Sequence, residues 1–119
     1  MDGLEIDIEN LSTLIGKDTS TLIRFLKIYE SELNHSCIKI ESAIQSLDYN
    51  TISITAHSLK SQSKYLNLKS IVALSQQIEQ LADTKSEVQE IKNLLLQITQ
   101  SEPIVYAAIS RLITELESE

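Results

Sequence analysis

Apolar residues recur along this chain at steps of three and four, and polar residues fill the positions between them. That period places one apolar stripe along each of five helical segments. A short first helix is expected near Ile8 to Ile15, with Leu11, Leu14 and Ile15 inward and Gly16 ending it. A long second helix is expected from Thr19 to Leu47, capped by Asp18 or Thr19. Its inward residues are Leu22, Leu26, Tyr29, Leu33, Ile40, Ile44 and Leu47. After the turn Asp48-Tyr49-Asn50, a third runs from Thr51 to Leu66 with Ile52, Ala56, Leu59, Ser63 and Leu66 on one face. Asn67 suits a left-handed helix end. A fourth runs from Lys69 to Ala82, with Ile71, Leu74, Ile78 and Leu81 inward.

The last segment extends from Ser86 to Leu116, with Val88, Ile91, Leu95, Ile98, Val105, Ile109, Leu112 and Leu116 in phase. Ile98 and Val105 stand one heptad apart, so the stripe survives Pro103. This favours one long helix kinked at the proline. A break at Ser101, with Pro103 starting a new helix, is the competing reading. No segment alternates with period two. The fold class expected is all-α: an antiparallel four-helix bundle with a short extra N-terminal helix, spanning residues 1–119 as a single domain.

Composition agrees. The chain has 119 residues, 42% hydrophobic, with two Gly, one Pro and no Trp, so the core must be largely Leu and Ile. Cys37 is the one cysteine, which excludes an internal disulfide and a cysteine metal cluster; on its helix it reads as a small buried hydrophobe. No signal segment or membrane span is evident, which points to the cytoplasm. Met1 and the acidic end at Glu119 slightly favour a free-standing protein.

The net charge of −7 argues against nucleic acid as a partner. The charge is uneven: between Asp48 and Glu79 there is no acid, only His57, Lys60, Lys64 and Lys69. Such a stretch is either a chance solvated face or a docking surface for something anionic.

His57 is the candidate for chemistry. It follows inward Ala56, so it is rotated about 100° from the core stripe, at the edge of the buried face or in solvent. Ser53, Ile54, Lys60 and Ser61 lie three or four positions away, and Lys64 one further turn along. A neutral imidazole is nucleophilic, neighbouring ammonium groups favour the neutral ring, and they would offset the charge of an attached phosphoryl group. The small Ser61 leaves room for a visiting active site. An exposed His beside lysines is, however, most often an ordinary surface residue. His35 has no such constellation around it. Phosphate-binding Gly-rich loops and metal-ligand spacings are absent, so no cofactor and no metal are expected.

The run Ala56-His57-Ser58-Leu59-Lys60-Ser61-Gln62-Ser63, continued through Leu66-Asn67-Leu68, resembles the motif of histidine-containing phosphotransfer domains, Ala-His-x-Leu-Lys-Gly-x-Ser/Ala followed by an apolar residue and a Gly. The similarity covers most of the chain, but only Ala56 to Lys60 is specific. The resemblance implies a four-helix bundle, phosphorylation of His57 and electrostatic stabilisation of the phosphoryl group by Lys60. It places Glu79 where the family often has a Glu or Gln that accepts a hydrogen bond from the imidazole; an ordinary boundary salt bridge is the alternative. Two departures stand out. Ser61 replaces the family Gly after the Lys, and Asn67 the Gly after the helix.

The resemblance further implies that the chain is a phosphoryl carrier without autonomous ATP-dependent kinase activity. Its partners would be receiver domains of response regulators or hybrid sensor kinases, which supply the metal ion. A monomer is expected. Receivers would dock over the third and fourth helices, touching Ser53 and Ser61, with an apolar rim from the first and second. The alternative function is a helical adaptor or scaffold in which His57 is incidental.

Overall fold

A computed structural model describes residues 3–119. Five helices follow one another: α1 (Ile8–Ile15), α2 (Thr19–Gln45), α3 (Tyr49–Tyr65), α4 (Lys69–Asp83) and α5 (Val88–Glu117). No strand occurs among the described residues.

Each of the first three helices starts where an Asp side chain accepts a hydrogen bond from a backbone N–H three residues on: Asp7 from Asn10, Asp18 from Thr21 and Asp48 from Thr51. These carboxylates satisfy donors that a helix start leaves unpaired. The ends of α2, α3 and α4 share another device. Leu47, Asn67 and Lys85 adopt positive φ of 54°, 54° and 51°. Around each, paired backbone bonds close the helix: Leu47 N to Ile44 O and Asp48 N to Ala43 O, Asn67 N to Lys64 O and Leu68 N to Ser63 O, Lys85 N to Ala82 O and Ser86 N to Leu81 O. These are Schellman ends built without glycine.

Four long helices form the bundle. α3 packs on α4, α4 on α5, α5 on α2 and α2 on α3, so the α2–α5 edge lies opposite the α3–α4 edge. α1 lies against α2 and α3. The bundle measures 48 × 23 × 22 Å. Leu11, Leu26, Leu33, Ile40, Ile52, Leu59, Leu66, Leu68, Ile71, Ile78 and Ile91 are among the fully buried side chains. Each Leu or Ile so placed contributes roughly 1.5–3 kcal/mol of burial. Tyr29 joins this core, and its hydroxyl meets the buried Ser63 hydroxyl at 2.7 Å across the α2–α3 interface.

The helix order and the apolar stripes agree with the sequence pattern, with two corrections. Leu14 is 53% exposed and Leu47 is 59% exposed. On α1 the inward stripe is Ile8, Leu11 and Ile15, and Leu14 lies roughly 90° round from its centre. α2 ends at Gln45, and the left-handed turn at Leu47 takes that side chain out of helical phase. Pro103 lies inside α5, which continues unbroken through it. No break occurs at Ser101; its buried hydroxyl donates to the Ile98 carbonyl at 2.6 Å. Beside the proline, Glu102 is buried against α2, where it accepts from Asn34 at 3.3 Å and from the Tyr106 hydroxyl at 2.5 Å. Cys37 is buried on α2, and burial together with the nearby Glu102 pushes its thiol pKa well up, so it is inert at neutral pH.

Candidate functional site

His57 stands on the middle of α3, one residue past fully buried Ala56, and its side chain is 59% exposed. α3 is long and begins at a capped turn, so the ring is presented from a rigid wall. Across the groove on α4, Glu79 follows fully buried Ile78. That phase turns its carboxylate towards α3.

The two helices meet here through one shared acid. Glu79 Oε2 lies 2.8 Å from His57 Nδ1, and Glu79 Oε1 accepts from Lys60 Nζ at 2.7 Å. Lys60 and Glu79 are largely sheltered, at 16% and 19% exposure, while the imidazole projects beyond them. The Lys60 hydrogen bond is the main cause that holds the Glu79 carboxyl below its ordinary range; partial burial opposes it and the His57 bond assists. An ionised Glu79 keeps the proton on Nδ1. The other ring nitrogen, Nε2, has no hydrogen-bond partner among the described residues and carries the free lone pair.

The remaining expected site residues divide. Ser61, one turn beyond His57, is small and exposed. Lys64 is exposed in the last turn of α3, about 10 Å along the axis from His57. Ser53, one turn before His57, is half-buried, and its hydroxyl donates to the Asp83 carboxylate in the last turn of α4. Asp83 was not legible as a site residue from the sequence. Its one signal is the four-residue step from Glu79, which puts both acids on the same face of α4.

The acid-free stretch of sequence does not form an acid-free surface, because α4 brings Glu79 and Asp83 against it and Glu79 neutralises Lys60. An apolar area instead borders the ring on the α2 side. Ile54 and Tyr65 are exposed on α3, Tyr65 stacks edge-on against Phe25 with ring centroids 5.4 Å apart, and Ile28 is exposed one turn further along α2. His35 is exposed and has no part in the site. Among the described residues no cluster of potential ligands could hold a metal ion, and no helix is long and apolar enough to cross a membrane.

The family model described as "Hpt domain" matches residues 24–118. Among solved structures, the chain is similar to the HPT domain of an Hpt sensor hybrid histidine kinase from Shewanella. The TM-score is 0.77 at 20% identity, covering 96% of this chain and 97% of that one. No curated protein matches the chain. Since the family match runs from the second turn of α2 to the end of α5, the chain belongs to the Hpt domain family, the histidine phosphotransfer modules that work with receiver domains in phosphorelays.

Proposed function

We propose that His57 is the residue that carries the phosphoryl group, receiving it on Nε2 from the aspartyl phosphate of one receiver domain and releasing it to the Asp of another. The observation that carries this reading is the ring's setting: more than half exposed, with Nδ1 held by Glu79. In the forward step the Nε2 lone pair forms the N–P bond, the P–O bond to the receiver's Asp breaks, and that Asp leaves as a carboxylate. The Nδ1 proton stays in place. The ring gains positive charge as the bond forms, and the Glu79 carboxylate stabilises it. Lys60 keeps Glu79 ionised, and the ammonium protons that Glu79 does not take are left to donate to the incoming phosphoryl oxygens. Lys64 adds a second, more distant positive charge that favours encounter with an acidic receiver. Positioning and charge stabilisation suffice for this chemistry, and the receiver supplies the metal ion. No ATP-dependent step belongs to this chain.

The exposed apolar residues Ile54, Tyr65 and Ile28, with Leu14 of α1, form the rim on which a receiver seats, and Ser61 lets it approach the ring. A monomer in the cytoplasm presents this face freely.

Incubating the chain with a phosphorylated receiver tests the assignment. Labelling that is acid-labile and alkali-stable, and that disappears in His57→Ala while helicity and receiver binding persist, is the expected result. Labelling that survives His57→Ala would move the acceptor elsewhere.

A further inference from the structure

Ser53 and Asp83 lie outside the assignment above, yet they meet one helical turn from His57 and Glu79, on the same faces of the same two helices. The α3–α4 interface therefore carries two polar rungs. The upper joins Glu79 to His57 and Lys60, and the lower joins Asp83 to Ser53.

Asp83 is an unfavourable choice for its place. It is the last residue of α4, where the partial negative charge of the helix end repels a carboxylate. Aspartate is also a poor helix former. The C-terminus of α4 is closed by the left-handed turn at Lys85 and by Thr84, whose hydroxyl donates to the Gln80 and Leu81 carbonyls, but these bonds lie within the helix end itself and do not fix it against α3; no side chain caps its N-terminus. Its buried residues are Ile71, Ser75, Ile78 and Ala82, with Leu74 and Leu81 partly buried against the core. Apolar packing is not directional and tolerates small rotations of a helix about its axis, which a hydrogen bond across the interface restricts. Glu79 lies one turn from that end, and its two oxygens must meet different atoms on α3. A small rotation of α4 would swing the carboxylate off Nδ1 before it lost Lys60, whose long side chain can follow.

We propose that Ser53 and Asp83 are a positioning pair, which ties the C-terminal turn of α4 to α3 and so keeps Glu79 in register with the His57 imidazole. This deepens the reading of His57 as the phosphoryl acceptor and rests on it for the transfer step alone. Ser53 then acts through Asp83 and Glu79, and does not touch a receiver.

The test uses the full chain with Ser53→Ala, Asp83→Ala and the conservative Ser53→Thr. Nitrogen-15 NMR of the imidazole reports which ring nitrogen holds the proton, without any partner. Single-turnover transfer from a phosphorylated receiver, measured at saturation, reports the chemical step separately from affinity. Ser53→Ala and Asp83→Ala should lower the Nδ1–H population and slow transfer by about three- to tenfold, the reach of one net hydrogen bond. Receiver affinity and helix content should stay constant, and Ser53→Thr should restore both readouts. An unchanged ring tautomer in a folded Ser53→Ala chain overturns the proposal. So does a variant that weakens receiver binding while leaving the saturated rate intact, because Ser53 would then be a docking contact. A wild-type chain that accepts no label defeats the carrier assignment of His57 instead, and the NMR measurement still decides the role of the pair.

Discussion

Removing the Glu79 carboxylate should slow phosphotransfer moderately and leave the bundle folded. In Glu79→Ala, His57 Nδ1 loses its 2.8 Å partner and Lys60 loses its 2.7 Å partner. A hydrogen bond to a charged group is worth about 1.5–3 kcal/mol when sheltered. The imidazole is 59% exposed, so water takes over part of the role, and about 1 kcal/mol remains for selecting the Nδ1–H tautomer. That alone lowers the ratio of the reactive to the unreactive tautomer by about fivefold. A second effect arises as the ring becomes positively charged on forming the N–P bond. Without the carboxylate, the unpaired Lys60 opposes that charge, which at this exposure adds roughly another 0.5–1 kcal/mol. The saturated transfer rate should therefore fall by about 10- to 30-fold. Glu79→Gln retains an acceptor for Nδ1–H but not the charge, so it should fall between the wild type and Glu79→Ala. Quenched single-turnover reactions with a phosphorylated receiver, alongside circular dichroism, measure both variants. A rate within twofold of wild type in folded Glu79→Ala would refute the reasoning, and so would a Glu79→Gln chain slower than Glu79→Ala.

Other predictions concern stability. Tyr29→Phe or Ser63→Ala alone leaves one buried hydroxyl unpaired and should cost about 1–3 kcal/mol, whereas the double variant should cost much less than the sum; additive denaturant-melt values would show the bond to be uncoupled. The Glu79 carboxyl is held below its ordinary value of 4.5, so the stability it adds is present above that pH and is lost as pH falls through its folded value. The stability gap between wild type and Glu79→Gln should accordingly close on acidification, and a gap that widens below that pH contradicts the shift. Lys85→Gly and Leu47→Gly relieve left-handed backbone at two helix ends and should each raise stability by about 0.5–1 kcal/mol, or roughly 2–4 °C in Tm; a lower Tm in both would mean that these side chains contribute more than their strain costs. Tyr106→Phe removes a donor to buried Glu102 and should cost about 1–2 kcal/mol, read by thermal melting.

The five helices were legible because a helix is decided within a few residues of itself. Apolar steps of three and four, Asp18 ahead of the second helix and Asn67 at a left-handed end are local signals, and the structure bears them out apart from Leu14 and Leu47; the caps at Asp7 and Asp48 were not among the expected signals, and the Asp48 cap starts α3 at Tyr49, two residues before the expected Thr51. The exposure of His57 was local in the same sense, since it followed from the position next to Ala56. Glu79 was reached only through the family resemblance. Its pairing with both His57 and Lys60 spans 22 and 19 positions, and the Ser53–Asp83 pair spans 30. Such pairs depend on the rotation and register of α4 against α3, which small changes in packing reset without altering either helix. For the same reason the acid-free stretch does not by itself give the charge of a surface: charge along a chain is sequential, whereas the field at a groove is the sum over both of its walls. The sequence by itself thus determined the helices, their inward faces and a projecting imidazole. Tertiary structure alone decided that Glu79 is shared between that ring and Lys60, that Asp83 meets Ser53 and where the apolar rim lies, because those are properties of two helices meeting.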